Sequence, residues 1–577
     1  MGRTIDIELA SLSVGVEPQT GIKRLTTFHG IVVICWFAAA WWYSMQPSVP
    51  ISRYAFINAY NSTTFSPSSP PLSCTQLPPI VPKANPSLSL SRLETPEFTS
   101  QALARLSLAV QTPTESYDIQ PVGKSCDDIW APFVAFQSLL QKEYPNIHKN
   151  LERRVVANYS LLYTWHGVNK DDDALLLMAH IDVVPVLPET TSQWTHEPYS
   201  GFVDYETQAV EALLTASYLV PERTVYLAFG CDEESDGKGA YAIAQYLQNE
   251  LKLAGKIGLL VDEGSGLVDF GGIKNAYVSV SEKGYADARL TVETKGGHSS
   301  VPPKHTGIGY SALLIAALES NPQEPQLSLN NPIAGSMACY AQHSPNPDPS
   351  IVKAVKKWPK TRPQLLKSML NLLPPEYVTA LLVTTQATDI INGGLKVNAL
   401  PEKVTAIINH RIGSHDSVHT LQTRYKQTLH KLCKDLHLNF TIKEFKDPSL
   451  PPFFKSHVER AVGSVTIDAL SHFSVLEPSP VSPYNTAQNV GWRILEGTIH
   501  HVFDDDVPSG GVIVGPMFSG GNTDTKSYWE FTKSIYRFSP TGENGGAHTV
   551  DEWTSMDGFL KSIKFYHELI RNWGGQE

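Results

Sequence analysis

Residues 174–182 read ALLLMAHID: a continuous apolar run closed by a histidine and, two residues on, an aspartate. A short run without alternation is the pattern of a strand buried on both faces. Two more follow, TVYLAFG (224–230) and KIGLLV (256–261), and between them GAYAIAQYLQNEL (239–251) has helical periodicity. IWAPFVAFQSLLQKEY (129–144) is a further helix. Strands alternating with helices imply an α/β fold with helices on both faces of the sheet. Ligands of such sheets gather beyond the carboxyl ends of the strands. The first run is followed there by His180-Ile-Asp182, the second by Cys231-Asp232-Glu233-Glu234, the third by Asp262-Glu263-Gly264. One H-x-D or one Glu-Glu pair is common by chance. Three such endings on successive strands describe a convergent site.

The chemistry suits hydrolytic zinc. His180 offers a nitrogen and Glu234 and Asp262 offer oxygens, a mixture Zn²⁺ accepts. Asp182 is placed to orient His180, and Glu233, beside a ligand, to take a proton from the attacking water.

The chain has 577 residues, enough for two sizeable cores, with 42% hydrophobic and 18% charged residues as in a globular protein. A formal charge of -11 argues against nucleic acid as a partner. Residues 1–24 read as a cytosolic tail and 25–46 as a transmembrane anchor, because Lys23 and Arg24 precede an apolar segment ending in Trp41, Trp42 and Tyr43. A cleaved signal peptide is the alternative. Residues 47–120, rich in Pro and Ser, read as a stalk. The sequons at Asn61, Asn158 and Asn439 suit a luminal body as glycosylation sites. Six cysteines contain no CxxC pair and define no disulfide map.

Nine ordered motifs carry a resemblance: AHIDVVPV (179–186), DEESDG (232–237), VDEGSG (261–266), SEKGYAD (281–287), GGHSSVPPKHT (296–306), TTQATDIINGGLKVNALP (384–401), INHRI (408–412), FSGGNTDTKSYW (518–529) and AHTVDE (547–552). From about Ser125 onward the chain resembles the dizinc peptidases and amidohydrolases that include carboxypeptidase S (Gly-X carboxypeptidase), aminoacylase and glutamate carboxypeptidase. The resemblance implies a catalytic domain in two parts, 121–285 and 448–577, around an inserted α+β lid or dimerisation domain at 286–447. It implies two zinc ions per subunit, with His180, Glu234, Asp262 and His548 as ligands, Asp182 as orienting carboxylate and Glu233 as general base. His298 would polarise the scissile carbonyl, and Arg411 would hold the substrate carboxylate. Asn398, Gly520, Gly521 and Asn522 would surround the substrate. Substrates would be short peptides or N-acyl amino acids with a free carboxylate, in a vacuole-like lumen, with a homodimer through the lid.

One element departs from the pattern. After Trp194 to Gly201 the family continues into a W/Y-G-R-G-x-x-D-x-K loop whose aspartate bridges both metals. Here GFVDYETQ passes directly to AVEALLTASYLVPERT, with a junction at Gln208–Ala209. Asp204 and Glu206 fall at a variable surface turn of the pattern. Three readings follow: an active enzyme whose sequence here reflects a gene-model or splicing difference, a variant binding fewer metals, or a catalytically impaired luminal peptide binder.

Overall fold

The computed structural model describes residues 72–84, 88–118, 121, 124–202, 221–471, 474–507, 510–541 and 544–575. The tail at 1–24, the anchor at 25–46, Asn61, and the Gln208–Ala209 junction with Asp204 and Glu206 lie outside them. Among the described residues no helix is long and apolar enough to cross a membrane.

The three apolar runs form strands Ala174–His180, Val225–Gly230 and Ile257–Ser265. They lie side by side and parallel, with Ala174–His180 between the other two. The chain leaves this central strand to one side and returns on the other, which opens a crevice at its carboxyl end. The sheet has nine strands and is mixed. One face carries Leu175, Leu177, Leu259 and Val261 under helices Val490–Phe503 and Met556–Gly574. The other carries Leu176, Met178 and Leu260 under helix Lys238–Asn249. Both faces are covered, as unbroken apolar strands require.

A second sheet of seven strands includes Gly284–Thr294, Ala387–Gly393, Lys403–Ile412, Leu438–Ile442 and Gly463–Ala469. Its buried alternate residues pack against Tyr310, Leu314 and Leu318 of helix Gly307–Glu319 and Leu421, Tyr425 and Leu429 of helix Val418–Asp435. The boundary expected at 447 falls inside this sheet. Strand Gly463–Ala469 pairs with Gly284–Thr294 on one side and Leu438–Ile442 on the other. Those pairings are non-local, so no local composition shift marks the true end.

The stalk expected over 47–120 is corrected for residues 72–118. Cys74 is disulfide-bonded to Cys339. The Gln76 carboxamide takes the Val514 N–H (2.7 Å) and donates to the Val514 carbonyl (3.1 Å), as a neighbouring strand would. Ile80 donates its N–H to Gly497 O and lies where a Cβ on Gly497 would sit. Pro96–Val110 is a helix capped by Thr95, with Pro96 at its first turn. A Pro/Ser-rich segment cannot build a core, but it can lie along an existing one.

Helices Ile333–His343, Pro349–Val355, Arg362–Leu372 and Pro375–Leu382, expected in the lid, form a cluster with Cys74 and with Phe518 of strand Ile513–Ser519. They cover the edge of the first sheet.

Candidate active site

Specific contacts hold the segments around the crevice. His180 ends its strand, and its Nδ1 meets the Asp182 carbonyl at 2.9 Å and Oδ1 at 3.2 Å. Asp182 is 2% exposed. Its carboxylate accepts the Ser116 hydroxyl (2.7 Å) and the backbone N–H groups of Glu233 (3.1 Å) and Glu234 (3.0 Å). Burial alone would lift the Asp182 carboxyl, but the bonds from His180, Ser116 and Glu234 hold it below the usual range. One buried carboxylate therefore orients the histidine and fixes the turn that carries both glutamates.

That turn is clamped from its other end. Asp232 accepts the N–H groups of Lys238 (3.0 Å) and Gly239 (2.7 Å) at the start of helix Lys238–Asn249. Gly237 adopts φ 66°, a left-handed conformation that favours glycine. A Cβ at Gly239 would lie 2.2 Å from Ser160 Oγ, so the helix can approach the sheet only without a side chain there.

His180, Glu233 and Glu234 each offer a ligand atom, all within 4.8 Å of one another. His548, on the turn after Gly546, reaches Glu234 Oε1 at 2.9 Å. That turn is tied to the 194–195 loop by the Thr195 N–H and hydroxyl on Asp551.

Asp262, like Glu263 and His548, lies outside that close group of three. Side chains alternate along strand Ile257–Ser265, so Asp262 falls on the face of Leu260 and Glu263 on that of Val261. Glu263 Oε2 faces His180 Nε2 at 3.5 Å. Asp262 is 2% exposed, and its Oδ2 has no hydrogen-bond partner among the described residues. Burial, with the Glu263 charge, pushes its carboxyl up. Glu263 is the carboxylate that faces His180, and the sequence reading did not single it out. Asp and Glu were both available after the run, and only knowing where the strand ends tells which one faces the histidine.

The electrostatics are those of crowded acids. Burial and the neighbouring Glu263 charge push Glu233 up from the ordinary carboxyl range. His180 is held above the ordinary imidazole range: burial opposes this, and Asp182 and Glu263 outweigh it. His548 is raised by its bond to Glu234. Two imidazoles with Glu233, Glu234 and Glu263 form the mixed nitrogen and oxygen set that zinc accepts. The residues present fit a metal of that kind.

Arg411 lies near the end of strand Lys403–Ile412 and donates to Asn522 Oδ1 at 3.3 Å. Asn522 in turn donates to the Lys283 carbonyl. Gly521 bonds the Ser519 hydroxyl, and Gly520 lies beside Ala380. Arg411 and the 519–522 loop thus form one group. His298 and Asn398 form another: strand Gly297–His298 pairs with Ala399–Leu400, and Ser299 N–H bonds Asn398 O at 3.2 Å. His298 Nδ1 meets the Ser300 hydroxyl at 2.7 Å. No contact among the described residues joins His298 to His180.

Ser116 was also missed. It belongs to the segment read as stalk, and the pairing of Thr114 and Ser116 with Val183 brings it beneath Asp182. Of the described sequons, Asn158 is exposed on a turn at φ 71°. Asn439 is half-buried in a strand, with its carboxamide oxygen engaged by Val458 N–H at 2.9 Å.

Known proteins are similar in sequence and in fold. Carboxypeptidase S of Saccharomyces cerevisiae is 35% identical over 536 residues, covering 86% of this chain and 88% of the relative. The Bos taurus N-fatty-acyl-amino acid synthase/hydrolase PM20D1 is 31% identical over 494 residues, covering 80% and 86%. The solved structure of the dipeptidase Dug1p from Saccharomyces cerevisiae shares the fold, with a TM-score of 0.52 at 12% identity, over 85% of this chain and 98% of that one. Peptidase family M20/M25/M40 matches residues 176–572, from the first site strand to the last helix. On that match, and on the site just described, the chain belongs to peptidase family M20/M25/M40 and is a hydrolase acting on peptides.

Proposed function

We propose that the protein is a zinc-dependent carboxypeptidase that removes the last residue from short peptides, Gly-X substrates among them. The observation that carries this is a group of imidazoles and carboxylates at the crevice, with an arginine–asparagine pair available for a free carboxylate. His180, Glu234, Glu263 and His548 would hold the metal. When bound, zinc supplies Lewis acidity for the scissile carbonyl and makes water more acidic. Glu233 accepts the proton of the attacking water and returns it to the leaving amine. Arg411 orients the substrate through a paired contact with its carboxylate. His298 donates to the developing oxyanion, from a second copy if the free edge strand Ala387–Gly393, with Ile390 and Ile391 exposed, makes a homodimer.

N-acyl amino acids are the second substrate class. The loops around His298 expose Val301, Leu395 and Val397, an apolar rim suited to an acyl chain. The anchor at 25–46 would place this body in a vacuole-like lumen, an expectation that rests on the hydropathy and aromatic pattern and on the resemblance. With no bridging aspartate in the sequence, the expected zinc content is well below two per chain and hydrolysis of N-blocked dipeptides weak.

The test is zinc content and hydrolysis of an N-blocked dipeptide and its C-terminal amide, in wild type, Glu263→Gln and Asp262→Asn. Metal loss in Glu263→Gln with retention in Asp262→Asn is expected, with the free acid preferred. Equal cleavage of acid and amide, or metal loss only in Asp262→Asn, overturns the assignment.

A further inference from the structure

Lys283 stands at the only kind of place where a lysine is costly: it is 1% exposed, between strands Ile273–Glu282 and Gly284–Thr294, where the chain passes from one sheet to the other. Its ammonium donates to the carbonyls of Thr379 (3.2 Å) and Val383 (2.6 Å), at the end of helix Pro375–Leu382. Its own N–H bonds Ser519 O at 3.0 Å, and its carbonyl accepts Asn522. Arg411 is drawn in twice more. It pairs in register with Tyr285, and its backbone exchanges bonds with Thr385, N–H to hydroxyl at 3.1 Å and carbonyl to N–H at 2.9 Å.

A buried ammonium is normally balanced by a carboxylate. The charge that acts on Lys283 is instead another cation, Arg411; burial first, then that charge, draws its pKa down to about 7. Carbonyls at a helix C-terminus offset part of the cost. The remainder is relieved when an anion arrives beside Arg411.

We infer that Lys283 is the positioning residue of the carboxylate subsite: its ammonium fastens the helix end and its backbone the 519–522 loop beside Arg411, and its charge adds to that of the arginine. The substrate carboxylate touches Arg411; Lys283 acts through Arg411 and Asn522. This rests on the reading of Arg411 given under the proposed function.

The experiment is calorimetric binding of an N-acetyl amino acid and its C-terminal amide to the zinc-loaded full chain. Lys283→Met is expected to weaken the acid about tenfold while leaving the amide unchanged, so that the acid-over-amide preference collapses. A merely structural role would weaken both ligands alike, and that result, or no change in either, overturns the inference. Should Lys283→Met fail to fold, Lys283→Gln keeps a donor for Val383 without the charge and is held to the same two results. Arg411→Met is the reference. If it leaves the acid preference intact, the carboxylate reading itself fails; if it abolishes the preference while the Lys283 variants do not, only the present inference falls.

Discussion

Replacing Asp182 by asparagine tests whether one buried carboxylate organises the site. The side chain keeps its shape, but one of its two oxygens becomes an amino group. In the native arrangement Oδ1 accepts Glu233 N–H at 3.1 Å, and Oδ2 accepts Glu234 N–H at 3.0 Å and Ser116 Oγ at 2.7 Å. Whichever way the new amide is turned, its NH₂ faces one of the two backbone N–H groups. The Ser116 hydroxyl can rotate and accept; a backbone N–H cannot. Stranding that donor at a site only 2% exposed costs about 1–3 kcal/mol. At tenfold per 1.4 kcal/mol, the stranded amide should exchange with solvent roughly 5- to 140-fold faster. With Glu234 as a ligand, as proposed, and Asp182 orienting His180, zinc affinity should fall about 10- to 100-fold. Hydrogen exchange over 231–235 and zinc retention against a chelator measure the two effects. Native exchange at both glutamates with native zinc affinity would refute the argument.

Two further perturbations lie away from the crevice. Glu568 accepts His501 Nε2 (3.0 Å), His567 Nδ1 (2.6 Å) and Arg571 (2.8 Å); burial acts to raise its carboxyl, and these partners hold it at about 2, against 4.5 unperturbed. A depressed carboxyl stabilises above its unfolded pKa, so Glu568→Gln should cost about 2–3 kcal/mol at pH 7. Melting curves should show that difference closing as pH falls from about 4.5 toward 2; a pH-independent difference contradicts it. The Cys74–Cys339 bridge closes a separation of 265 residues, and its replacement by serines should cost about 2–5 kcal/mol. Unfolding with and without reductant should separate wild type but not the double variant.

Much of this protein is legible without coordinates. An apolar run such as ALLLMA has one stable place, inside a sheet covered on both faces, and its polar ending must then lie at the sheet's edge. That local argument yields the parallel core, His180, Asp182, Glu233 and Glu234. His548 came from the resemblance, because a histidine on an irregular turn carries no periodic signal.

What only the tertiary structure decided is where separate local signals meet. Asp262 and Glu263 are equally good donors as letters, and the strand decides that Glu263 is the one facing His180. Ser116, Gln76 and Ile80 sit in segments too polar or proline-rich to predict a fold, yet they complete surfaces made by residues from 66 to more than 400 positions away. Lys283 carries no signal of burial in SEKGYAD, and only the convergence of Thr379, Val383, Ser519 and Asn522 shows it buried. The physical reason is common to all of these. Hydrophobic burial acts over a few residues and can be read along the chain, whereas hydrogen bonds and charges act over a few ångströms and are set only when distant segments are brought together.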